Sequence, residues 1–195
     1  MPNSSDTFAP LERFWFVRHG ETESNVRGLR CGGDVDIPLT AHGEQQIRAL
    51  APQIGALGID LIVSSALQRT QRSALILSGM LGGIAILTEP LFNERRLGAW
   101  NGRPHQEAEH LLRSGMTPPG GEAEDQFRQR ILQGVAGLRE KIPHSILVVS
   151  SKGVARILSA TFGHATPRHA ANGELLLYEL ARAVHGTSPC GMTPI

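Results

Sequence analysis

The stretch FWFVRHGETESN, Phe14 to Asn25, changes character in its middle. Phe14 to Val17 is an apolar run of strand length, and Arg18, His19 and Gly20 follow it with no neutral connector. The same change occurs twice more, where Leu61–Val63 runs into SSALQRTQRS and Ile146–Val149 into SSKGVAR. Further strand-length runs stand at Ile84–Leu87 and Leu175–Tyr178. Four stretches between them carry apolar residues at helical spacing: Ile47, Leu50, Ile54 and Leu57; Leu67, Ala74, Leu77 and Leu81; Phe127, Ile131, Val135 and Leu138; Val154, Ile157, Leu158 and Phe162. Strand and helix in alternation predict an α/β fold of three layers, a mostly parallel sheet with helices on both faces. Pro52 removes a backbone donor inside the first helical pattern and predicts a kink or a split there. Ligands of open α/β sheets bind beyond the carboxyl ends of strands, so the three polar stretches are expected to converge on one pocket.

The rest of the composition narrows the function by exclusion. Residues 1–195 are expected to form a single domain, with flexible tails at about 1–10 and 185–195, because the apolar fraction of 41% suits one globular core. Nineteen Lys and Arg against 18 Asp and Glu leave a formal net charge of +1, so no global field selects nucleic acid or an anionic membrane. Cys31 and Cys190 lack the spacing of a metal knuckle or redox pair and read as free thiols of a reducing compartment. With no signal-peptide pattern and no run of eighteen apolar residues, a cytoplasmic location is expected. The histidines and carboxylates show no metal-ligand spacing, and no cofactor is called for.

A preference for anions must then come from a local site. Arg18 and Arg69 each offer a planar fork of donors to phosphate oxygens, and the Asn25 side chain and the Gly32-Gly33 backbone offer neutral ones. Two forks around the His19 imidazole predict a phosphate cradle. Thr40 reads as a helix N-cap, Trp100 as a core or rim residue, and His42, His105, His110 and His144 as exposed.

At these residues the chain resembles the histidine phosphatase superfamily, the phosphoglycerate mutase-like group. The signature Arg-His-Gly-Glu-Thr stands at Arg18 to Thr22, and DVDIPLTAHGEQQ, SSALQRTQRSA, LFNERRLGAWNGRP, PPGGEAEDQFRQR and VVSSKGVAR follow in the family's order. The resemblance implies a two-step, metal-independent phosphoryl transfer with no cofactor. His19 attacks phosphorus and becomes phosphohistidine, Arg18 and Arg69 hold the charge on the phosphoryl oxygens, and water releases inorganic phosphate. Glu94 corresponds to the proton donor for the leaving oxygen, with Arg95 and Arg96 directed elsewhere or one of them on substrate. The implied partner is a small phosphorylated metabolite.

The departure from the family is at Ser151, which stands where the last strand ends in a second histidine. Losing one transition-state donor typically costs ~10²–10³ in rate. Ser151 offers a single hydroxyl to the phosphate. Lys152 is a candidate to compensate, although a solvated loop cation is the favoured reading of that residue, and His164 or His169 is a further candidate. Four readings follow. The favoured one is a phosphomonoesterase with activity reduced by Ser151. The others are a degenerate phosphate-binding or regulatory homologue, an altered chemistry in the same pocket, and a serine introduced to trap a complex.

Overall fold

The computed structural model describes residues 12–139, 145–162 and 170–180. The expected tails, His144, His164 and His169 lie outside the described residues. Five strands form one sheet: β1 (Arg13–Arg18), β2 (Leu61–Ser64), β3 (Ala85–Thr88), β4 (Ile146–Ser150) and β5 (Leu175–Glu179). Their order is β3-β2-β4-β1-β5, parallel throughout except for β5, which runs antiparallel to β1. The register sets Val17 beside both Val149 and Leu175.

Strand periodicity sends successive side chains to opposite faces, and the sheet uses both. Phe14, Phe16, Ile146 and Val148 pack on one face against Phe127, Ile131 and Leu138 of α6 (Glu124–Arg139) and Val154 and Leu158 of α7 (Lys152–Phe162). Val17, Ile62, Leu147 and Val149 pack on the other against Ile47 of α2 (Ala41–Ala49), Ile54 of α3 (Ala51–Gly55), and Ala74 and Leu77 of α4 (Gln68–Met80). The three expected layers are present. Each of the Val, Leu, Ile and Phe side chains among them contributes about 1.5–3 kcal/mol when fully buried. Pro52 splits the first helical stretch into α2 and α3, and it occupies the first turn of α3, where its missing N–H costs nothing.

Two short pieces were not evident in the sequence. One is α1 (Glu23–Val26), a single turn directly after the Arg18–Thr22 motif. The other is α5 (His105–Arg113), whose apolar residues Ala108, Leu111 and Leu112 stand at helical spacing but of which only Ala108 is fully buried.

The fold positions the site through one close contact. The turn after β1 lies against the start of α2, where a Cβ on Gly20 would meet the Gly43 carbonyl oxygen at 2.2 Å and a Cβ on Gly43 would meet the Glu21 carbonyl oxygen at 2.2 Å. Thr40 caps α2 by accepting from the Gly43 amide at 3.0 Å. The Thr40 amide donates to the Glu21 carbonyl at 2.9 Å, and the Glu21 amide donates to Gln46 Oε1 at 2.9 Å. The block LTAHGEQQ is therefore a clamp on the backbone that carries His19.

Candidate active site

The ends of β1, β2 and β4 are neighbours in the sheet, and the polar stretches that follow them meet there. His19 is 5% exposed, directly beyond β1, with its amide donating to the Ser150 carbonyl at 2.9 Å. Its Nδ1 lies 2.7 Å from the Gly20 carbonyl oxygen. A carbonyl only accepts, so the proton is on Nδ1 and the neutral ring keeps its lone pair on Nε2. Burial, then the charges of Arg69 and Arg18, push the imidazole well below its ordinary pKa of 6.5, against a smaller opposing effect of the Gly20 carbonyl. The ring is held neutral beside two cations.

Arg18 and Arg69 both line a cavity of about 160 Å³ with His19 and Asn25. Arg18 donates from one terminal nitrogen to the Ala170 carbonyl at 2.8 Å, while its buried Nε has no partner. Burial lowers its pKa to about 10, opposed by Glu94 and aided by Arg30 and Arg69, so it stays charged at neutral pH. Arg69 is 2% exposed and held by the Val35 carbonyl at 3.0 Å and the Gly32 carbonyl at 3.1 Å. Asn25 Oδ1 accepts from the Thr22 amide at 3.1 Å, the Thr22 hydroxyl at 3.0 Å and Asn172 Nδ2 at 3.1 Å. That leaves the Asn25 amide nitrogen to donate into the cavity.

Two expectations need correction. The Gly32 and Gly33 amides do not face the cavity: they donate to Asn101 Oδ1 at 2.7 Å and to the Arg95 carbonyl at 2.9 Å. These glycines allow close packing instead, since a Cβ on Gly33 would meet the Glu94 carbonyl oxygen at 2.1 Å. Their contribution to the cradle is indirect, through the Gly32 carbonyl that orients Arg69. Ser151, expected on the cavity wall, is not among the lining residues: it is 1% exposed and its buried hydroxyl has no partner.

Lys152 is half-buried and lines both the inner cavity and a second one of about 260 Å³, so the solvated-cation reading does not hold. Glu94 lies in the second, outer cavity, whose apolar surface comes from Leu97, Leu112 and Phe127. Its carboxylate accepts from the Arg95 amide at 2.7 Å and the Gly153 amide at 2.8 Å. Gly153 lets the carboxylate sit close to the start of α7: a Cβ there would come within 2.0 Å of Glu94 Oε1 and would displace that side chain. Arg95 turns to the Glu122 carbonyl at 2.8 Å and to Glu124 at 2.6 Å, and Arg96 is exposed.

Several wall residues escaped the sequence reading. Asn172 donates to the His19 carbonyl at 3.1 Å as well as to Asn25, and its only local signal is the turn at Gly173, where φ is +68°. Arg30, ion-paired with Glu109, had none. His105 is exposed, as read, and also forms part of the inner wall, with Nε2 at 3.0 Å from the Leu29 carbonyl.

A family model described as the histidine phosphatase superfamily (branch 1) matches residues 14–184. The chain belongs to that superfamily. An adenosylcobalamin/alpha-ribazole phosphatase of Escherichia coli (strain K12) is 35% identical over 160 residues, covering 76% of this chain and 77% of the relative. A phosphoglycerate mutase structure from Thermus thermophilus superposes with a TM-score of 0.68 at 32% identity, covering 85% of this chain and 91% of the other. A mycobacterial glucosyl-3-phosphoglycerate phosphatase in complex with VO3 superposes with a TM-score of 0.69 at 28% identity, covering 77% and 80%. The superfamily's sandwich of a mostly parallel sheet between helices is the fold described above. Among the described residues, no group of three or more His, Cys, Asp or Glu is placed to hold a metal ion, and no helix is long and apolar enough to cross a membrane.

Proposed function

We propose that this superfamily member is a metal-independent phosphomonoesterase that hydrolyses a small phosphorylated metabolite through phosphohistidine at His19. The observation that carries the reading is the His19 tautomer: Nδ1–H is fixed on the Gly20 carbonyl, and the free Nε2 lone pair belongs to a ring whose neighbours are Arg18 and Arg69. In the first step Nε2 bonds to phosphorus, the ester P–O bond breaks, and the leaving oxygen takes a proton from Glu94. Arg18, Arg69 and Asn25 donate to the phosphoryl oxygens as their charge builds. In the second step water attacks phosphorus, the P–N bond breaks, and the water proton returns to Glu94. The inner cavity takes the phosphoryl group and the outer cavity the leaving group.

The relatives' names span an alpha-ribazole phosphatase, a glucosyl-3-phosphoglycerate phosphatase and a phosphoglycerate mutase, so phosphate esters of small organic molecules are the substrate class to test. Release of inorganic phosphate from a panel of such esters, assayed with EDTA present, is expected for the wild-type chain. His19→Ala is expected to lower it by at least ~10³-fold. Activity abolished by EDTA and restored by a divalent cation would contradict the metal-independent reading. Phosphate binding with no turnover on any ester would favour the degenerate-homologue reading instead.

A further inference from the structure

We propose that Lys152 is a catalytic residue, its ammonium supplying to the transferring phosphoryl group the donor that position 151 lacks. The inference deepens the phosphatase reading and rests on it. Lys152 is the first residue of α7, and it belongs to the walls of both cavities. The shared wall is where a phosphoryl group seated in the inner cavity meets the leaving group in the outer one. A donor there reaches the phosphoryl oxygens at the end nearest the breaking bond.

The other cations of the two cavities already have acceptors. Arg30 and Arg113 pair with Glu109, and Arg95 and Arg156 with Glu124. Arg69 is held by two carbonyls and Arg18 by one. Among the described residues, no ion pair or hydrogen bond involves the Lys152 ammonium, which leaves its three donors unassigned. An uncommitted, half-buried ammonium beside a dianion makes charge-assisted hydrogen bonds about twice as strong as neutral ones. Ser151 lines neither cavity, and its buried hydroxyl has no partner.

The electrostatics agree. Burial, then Arg30 and Arg18, lower the Lys152 pKa from its ordinary 10.5, while Glu109 and Glu94 oppose the shift. The charged groups facing it are thus Arg18 on β1, Arg30 on the loop after α1, Glu94 on the acid loop and Glu109 on α5, with the His105 imidazole beside them. A lysine with a lowered pKa loses its charge on the alkaline side earlier than an exposed one, so turnover falls there. Arginine at this position moves that limb to higher pH.

The test compares wild type with Lys152→Gln, Lys152→Met and Lys152→Arg, using p-nitrophenyl phosphate for turnover and vanadate and inorganic phosphate as competing ligands. Loss of one transition-state donor is expected to lower kcat by ~10²–10³-fold in the Gln and Met variants and to weaken vanadate comparably. Phosphate affinity is expected to change by less than about threefold, because the donor acts mainly on the charge that builds during transfer. Lys152→Arg is expected to recover most of kcat and to shift the alkaline limb upward. Turnover and vanadate affinity within about threefold of wild type in both neutral variants would overturn the proposal, as would equal losses of phosphate and vanadate affinity. A wild-type chain that binds vanadate without turning over any ester would contradict the phosphatase reading alone, and the vanadate comparison would still judge Lys152.

Discussion

In the proposed reaction His19 is the nucleophile, because a single 2.7 Å contact decides which ring nitrogen is free. The Gly20 carbonyl fixes the proton on Nδ1, and burial beside Arg69 and Arg18 keeps a second proton off Nε2. A histidine whose folded-state pKa lies well below 6.5 stays neutral as pH falls through the range where an exposed one charges. The ring is therefore expected to show a titration midpoint well below 6.5 in a nitrogen-detected NMR titration. A midpoint near 6.5 would contradict the buried, neutral nucleophile. The linked stability has a definite sign: below about 6.5 the unfolded imidazole gains a proton that the folded one refuses, so His19 lowers stability as pH falls from there. At this scale the residues adjoining a strand end were readable from sequence, since VRHG places Arg18 and His19 together. Gly32 and Gly33 were misread because an amide's partner is a tertiary fact, here Asn101 and Arg95 from a distant loop.

Among the elements, α2 holds in place the turn that follows His19. Gly20 and Gly43 allow the turn after β1 and the first turn of α2 to touch, and Thr40 and Gln46 bond across the contact. A Cβ at residue 43 would lie 2.2 Å from the Glu21 carbonyl oxygen, which is backbone and cannot rotate aside. Gly43→Ala is expected to destabilise the fold by about 1–3 kcal/mol, the scale of overpacking. It should also lower kcat more than it raises KM, because the displaced turn carries His19. Unfolding in denaturant and steady-state kinetics check both, and a variant with wild-type stability and kcat would show that the contact is not a clamp. The long helices were readable from their apolar spacing, and Pro52 marked the break between α2 and α3. α5 was not recognised, because its apolar face is only three residues, Ala108, Leu111 and Leu112, within a largely charged nine-residue stretch. Its His105 and Glu109 were missed as wall residues because which side of a helix meets a cavity is set by tertiary packing.

For the whole molecule, strand order makes the site. β4 lies between β2 and β1, so the segments that begin with Ser65, Ser151 and His19 share one edge of the sheet. The sequence showed that three strands end in polar residues, but not that these three are adjacent, because pairing order depends on contacts far apart along the chain. The outcome is two joined cavities, an inner one with the imidazole and two arginines and an outer one with Glu94, and Lys152 stands between them. This arrangement suits a transfer in which His19 and the leaving oxygen exchange places on phosphorus. The central claim is thus the covalent intermediate. The chain is to be mixed with a phosphorus-labelled ester or an activated phosphodonor, quenched within the first turnover and analysed by mass spectrometry after digestion in base. The account predicts an acid-labile, base-stable phosphoryl group on His19, lost in His19→Ala. Phosphate on Ser151 instead, or phosphate release with no labelled enzyme at any time, would contradict it.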